Sequence, residues 1–168
     1  MLNFLCDTFF RHTFYIKFSG DWVSVKHVET GKTYEDRPLL AIKKNRQGKK
    51  IILAIGADVE KTSNPDISIH NGFSHPEGGI SDFDVAHATL VHFMSKITER
   101  KKWVKPIIIM HPTKKMGGAP SHSENKALIK LSYAVGARKA YLWFGRELKD
   151  AELMALRLPE PGDVLIVE

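Results

Sequence analysis

From Asp82 onward the chain alternates helix-patterned and strand-patterned segments, and that alternation leaves few folds open to it. Between Asp82 and about Glu99, Ala86, Leu90, Phe93, Met94 and Ile97 recur at three- and four-residue spacing. Such spacing lines one face of a helix. Ser81 or Asp82 can cap its start by accepting backbone N–H bonds. Pro106 then opens the apolar run Ile107-Ile108-Ile109-Met110, which predicts a buried strand. Ser121 and Glu124 have capping-box spacing ahead of a helix running to Val135 and ended by Gly136. Lys139 to Phe144 reads as a strand. Glu147 to Leu158 reads as a helix, broken by Pro159 and Pro161, and Val164 to Val167 as a final strand.

The first part of the chain is patterned differently. Thr13 to Phe18 alternates and is rich in aromatic and β-branched residues, as a strand should be. Ser19-Gly20-Asp21 makes a tight turn into a second strand, Trp22 to Val28, and Glu29 to Lys32 a further turn. Leu39 to Lys43 and Lys49 to Ile55 predict two more strands, with a helical turn around Ala57 to Lys61. Thr62 to Gly79 reads as loop. Hairpins followed by βα alternation imply an α/β fold, a mixed sheet with helices packed on its faces.

At 168 residues the chain fits one domain and can bury a substantial core. Its single cysteine, Cys6, excludes an internal disulfide, and with no cleavable leader visible the expected compartment is the cytoplasm. No apolar run approaches the roughly 18–20 residues that would span a bilayer. The formal charge of +6 raises the question of a nucleic-acid partner. The basic residues are mostly dispersed, however. The clusters Lys43-Lys44-Asn45-Arg46-Gln47-Gly48-Lys49-Lys50 and Arg100-Lys101-Lys102 fall at expected element ends, without interleaved aromatics. Solvated surface, and no nucleic acid, is the expectation.

The element order is also that of the ribonuclease-H-like subdomain of actin and of the sugar-kinase and chaperone ATPases, and particular residues extend the likeness. Arg37-Pro38-Leu39-Leu40-Ala41-Ile42, then Ile55-Gly56-Ala57-Asp58, resembles the stretch after the first hairpin of MreB proteins. Glu77-Gly78-Gly79-Ile80-Ser81-Asp82-Phe83, leading into Leu90-Val91-His92-Phe93, is similar to the MreB glycine loop entering the first long helix. Glu124 to Ile129 and Gly136 to Leu142 resemble the next helix and strand. The likeness is collinear over roughly residues 1–145, with small insertions near Gly72 and Lys115. It implies that residues 1–168 are one actin-like domain, corresponding to the first half of a bacterial actin of the MreB cell-shape family.

The resemblance also exposes departures. In the family the first hairpin turn carries an Asp-Leu-Gly-Thr type motif, whose acid helps hold the water shell of Mg²⁺ and whose amides cradle phosphate. Here the stretch is Phe18-Ser19-Gly20-Asp21. Gly20 and Asp21 are left as a degenerate phosphate loop, and Phe18 stands where the acid belongs. A second phosphate loop would follow the strand that Gly162 to Val167 resembles, and the sequence stops there. Glu124 falls where the family has the acid that orients the attacking water. A capping-box role at a helix N-terminus accounts for it fully, so it is vestigial at best as a catalyst. Phe144-Gly145-Arg146 replaces the Glu-Glu-Pro type turn of the family.

Residues 1–12 precede the first strand. As a helix, Leu2, Leu5 and Phe9 share one face, with Phe4 and Phe10 adding apolar bulk. An amphipathic segment on the inner face of a membrane, as several MreB proteins carry, and a segment packed on the core are both consistent with it. Other chemistry finds little support. His87 and His92 are five apart, about 140° around a helix, and share no ligand face. His70, His75, His111 and His122, read as loop residues, lack partners at zinc spacing, and no metal is expected. Gly78-Gly79 and Gly117-Gly118 are not P-loops, and Ser121-His122-Ser123 is not a nucleophile elbow.

These features imply an actin-like protein without ATPase activity or cofactor, acting through protein contacts in a cell-shape or cytoskeletal context. Its partners would be itself or a full-length MreB-type filament. The alternative is an ATP- and Mg-binding ATPase whose phosphate site another chain completes.

Overall fold

Alternation in the first strand decides how the sheet is covered. In β1 (Thr13–Phe18), Phe14, Ile16 and Phe18 point to one side and Tyr15 and Lys17 to the other. The computed structural model describes residues 11–62, 64–75, 79–98, 105–113, 121–159 and 162–167. Within it β1 pairs antiparallel with β2 (Val23–His27), which pairs antiparallel with β3 (Thr33–Asp36). On its other side β1 runs parallel to β7 (Ile107–Pro112), and β7 parallel to β8 (Lys139–Phe144). β9 (Asp163–Val167) closes the far edge antiparallel to β8, giving the order β3-β2-β1-β7-β8-β9. The mixed sheet expected from the sequence is present.

Its two principal helices lie on one face. Helix α1 (Phe83–Ile97) begins where Asp82 accepts the Val85 N–H, and it buries Ala86, Leu90, Phe93 and Ile97. Met94, expected on the same face, is half-buried. Helix α2 (His122–Ala134) starts with the capping box between Ser121 and Glu124 and buries Leu128, Ile129 and Leu131. Both pack on Phe14, Ile16, Phe18, Ile108, Met110 and Leu142 in one apolar cluster. The opposite face is covered by residues 145–158. Only Asp150–Ala155 of that segment is helical (α3), shorter than the Glu147–Leu158 expected. Leu156 ends it with φ at 50°, in the left-handed region. Gly145 lies flat against the buried Trp143 ring, where a Cβ would come within 2.3 Å of the indole. That contact accounts for a glycine in this turn.

Two strands were not anticipated. β3 is only four residues, Thr-Tyr-Glu-Asp, with no apolar run to announce it. β6 (Ile67–Asn71) lies in the expected loop and joins β4 (Leu39–Lys44) and β5 (Lys50–Ile55) in a separate antiparallel sheet, ordered β5-β4-β6. A 3₁₀ helix, Gly56–Lys61, follows β5 where a helical turn was expected. Leu40 and Ile42 anchor this second sheet to Val85 of α1.

Candidate functional site

In sheets with parallel strands, ligands bind at the carboxyl ends. Here β1 and β7 both end at one edge, at Phe18 and Pro112. Three segments converge there: the β1–β2 turn, residues 72–75 and 79–81 after β6, and the start of α2. Phe18 is 1% exposed and packs against Phe73, ring centroids 5.2 Å apart. The Phe18 carbonyl accepts hydrogen bonds from both the backbone N–H and the hydroxyl of Thr113, at 2.9 and 3.0 Å. Asn71 donates to the Gly20 carbonyl at 2.7 Å. The turn is therefore held from β6 and from β7.

Within the turn, Ser19 N–H donates to the Trp22 carbonyl, and the Ser19 hydroxyl accepts the Asp21 N–H at 3.3 Å. Asp21 is exposed. A phosphate nest needs successive amides pointing to one point, which takes a residue in the left-handed region. Gly20 is not among the positive-φ glycines, and a Cβ there would meet only the Phe73 carbonyl oxygen, at 3.8 Å. Nothing in the backbone requires glycine at this position.

Glu124 lies at the same edge. One carboxylate oxygen accepts from the Ser121 N–H at 2.8 Å and from its hydroxyl at 2.7 Å. The other lies 3.4 Å from Nδ1 of His75 and faces Gly79. The capping role read from the sequence is thus occupied, and the same carboxylate links His75 to the start of α2. Gly72 lets the chain after β6 approach α1 closely. A Cβ there would fall 2.3 Å from the Ala86 nitrogen of α1.

The histidines are spread over the molecule. His70 lies in β6 and His111 in β7, and His122 opens α2; none of the three is a loop residue as expected. His87 approaches the Ala134 carbonyl, and His70 the Ser68 hydroxyl. Burial pushes the His92 pKa down. His12 and His27 bring ring nitrogens to 3.0 Å beside Glu29. Among the described residues no group of three or more His, Cys, Asp or Glu could hold a metal ion. Leu2, Phe4, Leu5, Phe9, Phe10 and Cys6 lie outside the described residues, as do Gly78, Gly117 and Gly118.

Sequence reasoning missed a buried network on the opposite face. The Tyr15 hydroxyl lies 2.5 Å from Nδ1 of His111, whose Nε2 lies 3.0 Å from the Gly145 carbonyl. A carbonyl can only accept, so Nε2 carries the proton and Nδ1 accepts from Tyr15. The same hydroxyl accepts the Leu148 N–H at 3.2 Å. Burial pushes the Tyr15 pKa up to about 12 and the His111 pKa down. Beside this network a cleft of about 190 Å³ is lined by Lys17, Lys26, Glu147 and Asp150, whose charges pair across it.

The chain matches no protein-family model, and no curated protein matches it in sequence. Solved structures do resemble it. MreB5 of Spiroplasma citri bound to AMPPNP superposes with a TM-score of 0.63 at 18% identity, over 79% of this chain and 38% of that one. Its ADP-bound form gives 0.61 over the same shares. A MamK double helical filament gives 0.58 at 16% identity, over 79% of this chain and 40% of that one. The fold is therefore actin-like, and the chain spans about two fifths of the length of these neighbours.

Proposed function

We propose that this chain is an actin-like unit that does not turn over ATP and works through protein contacts. Its partners would be copies of itself or an MreB-type filament, in a cytoskeletal role on the cytoplasmic side. The observation that carries this reading is Phe18, buried at 1% exposure at the position where the resemblance to MreB proteins implies an acid. A phenyl ring cannot hold a metal's water shell. Turning it outward would expose on the order of 150–250 Å² of apolar surface and strip Phe73 of its partner. Gly20, outside the left-handed region, supports the same conclusion. Glu124 is then a capping residue that also reaches His75. The likeness to a MamK filament supports a partner that is itself a protein. The amino-terminal segment, with Leu2, Phe4, Leu5, Phe9 and Phe10, would add a further contact to the core or to a membrane.

Calorimetry with Mg-ATP on the whole chain at high protein concentration tests the proposal. No heat at millimolar nucleotide is the expected result. Micromolar binding would overturn it and assign the phosphate site to Asp21 or to a completing partner chain.

A further inference from the structure

The amino-terminal end of β1 is fastened by ionisable groups that neither the fold nor the proposed function uses. His12 Nδ1 lies 3.0 Å from His27 Nε2, and His27 Nδ1 lies 2.8 Å from the Thr30 hydroxyl. One carboxylate oxygen of Glu29 accepts the Thr13 N–H at 2.8 Å and lies 3.5 Å from His27 Nε2. The other lies 3.5 Å from Arg11 Nε. Arg11 also donates to the Met154 carbonyl of α3. The two histidines meet because the β1–β2 register sets Phe14 opposite His27, one residue on from His12.

His27 is 3% exposed, whereas the His12 side of the pair is open to solvent. Arg11 Nε, Thr13 Oγ1 and Glu29 Oε1 are shut off from water without a hydrogen-bond partner. Buried polar atoms left unsatisfied oppose folding, and three of them meet in this one cluster. The end of β1 is thus closed against a local penalty, which a change of charge can tip.

Proton counting shows which change. Two ring nitrogens in contact share one proton, one donating and the other accepting. Either tautomer satisfies this with both rings neutral, because the Thr30 hydroxyl can donate to His27 Nδ1 or accept from it. One added proton is tolerated, since it can sit on the far nitrogen of either ring. A second makes His12 Nδ1 and His27 Nε2 both N–H groups aimed at each other, and the contact fails. Burial is the largest influence on His27 and keeps it neutral, Glu29 works against that, and His12 and Lys32 add to it. The other elements present uncharged groups to the pair. These are the Phe14 ring, with its centroid 5.2 Å from that of His27, and the Ile107 N–H of β7 on the His12 carbonyl. With both rings charged, Arg11, His12, His27 and Lys32 would be four cations around the single carboxylate of Glu29.

We propose that His12 and His27 form an acid-operated latch on β1, closed while the pair carries at most one extra proton and open when it takes a second. Opening frees Arg11 and His12 from Glu29 and Met154. These two residues join residues 1–10 to the sheet, so the latch sets how firmly that segment is tethered. Proton uptake favours the open form. Closure is therefore complete above about pH 6.5 and is lost as pH falls below it. The inference stands on this cluster alone and does not depend on the nucleotide reading.

Amide hydrogen exchange on the whole chain tests it. Thr13, whose N–H bonds to Glu29, reports the latch, and Ile16 in the middle of β1 reports the sheet. Below about pH 6.5, Thr13 should lose protection about tenfold per pH unit, the factor for uptake of one proton. His12→Asn keeps a neutral donor and acceptor near the Nδ1 position and cannot take the second charge. It should flatten the loss at Thr13 and leave Ile16 unchanged. His12→Lys places a fixed cation there and should lower Thr13 protection already at neutral pH, again without effect on Ile16. His12 is exposed, so neither variant should alter the circular dichroism. Undiminished Thr13 protection in acid overturns the proposal. So does an unaltered acid slope in His12→Asn, or exchange at Thr13 and Ile16 that always moves together, which would mean that β1 opens only with the whole fold.

Discussion

The two faces of the six-stranded sheet come from the same alternating strands yet are held by different chemistry. On one, Phe14, Ile16, Val25, Ile108, Met110 and Leu142 meet α1 and α2 in a cluster built from apolar side chains. On the other, Tyr15, Ile109, Trp143, Leu148 and Leu153 form a smaller cluster, threaded by the Tyr15–His111–Leu148 network. Lys17 pairs with Glu147 and Lys26 with Asp150 at its border, each at 2.5 Å. The first face is fixed by area removed from water, which has no preferred geometry. The second is fixed by donors and acceptors that must find particular partners. The helix-covered face should therefore carry most of the stability, and the other most of the sensitivity to conditions.

A cavity gives the largest expected effect. Leu90 is fully buried between α1 and the sheet, and Leu90→Ala should cost about 2–5 kcal/mol. Urea denaturation at two pH values checks both its size and its character, because an apolar loss should be the same at each. A loss that grew on acidification would break the distinction between the faces.

The same contrast explains what could be read in advance. Helix α1 was legible because five apolar residues repeat over about three turns, and α2 because its cap and its stop are both written locally. β6 carries the alternation Ile67-Ser68-Ile69, but surrounding proline and glycine signals outweighed it. At the candidate site, Phe18 could be seen as out of place, whereas Phe73, which makes it a core residue, lies 55 positions away across an unpatterned loop. Tyr15 and His111 are 96 residues apart and meet only because β1 and β7 pair in parallel with Lys17 beside His111. Local patterns reach a few turns. Polar pairs set by sheet register do not appear in them.

The polar face should respond to pH in a direction the structure fixes. His111 is buried, which holds its pKa below the ordinary value of 6.5. In the unfolded chain it therefore binds a proton first as pH falls. Its contribution is complete above about pH 6.5 and is lost progressively below that. Tyr15 acts at the other end. With its pKa raised from 10.0 to about 12, it stays protonated in the fold while the unfolded chain ionises, so stability falls as pH rises through that interval. His111→Asn should flatten the loss between pH 7 and pH 5 without abolishing it, since the pKa of His27 is also held down by burial. Tyr15→Phe leaves the Leu148 N–H and His111 Nδ1 without their partner and should cost about 1–3 kcal/mol. An unchanged acid slope in His111→Asn would show that the network does not govern this face.

The smallest effect sharpens the comparison most, because it separates the two polar devices on one face. Lys26 and Asp150 are close, but the lysine side chain is 24% exposed and the aspartate 75%. Water screens such a pair, and the ordering of two long side chains offsets what attraction remains, so pairs of this kind contribute about 0–1 kcal/mol. Lys26→Met keeps most of the aliphatic stem that covers the sheet and removes only the charge. It should shift the urea midpoint by less than Tyr15→Phe does, and the shift should vanish in high salt while the tyrosine effect persists. If the lysine substitution proved the more damaging, residues 145–158 would be held by charge, and the Tyr15–His111 network would only follow from their position.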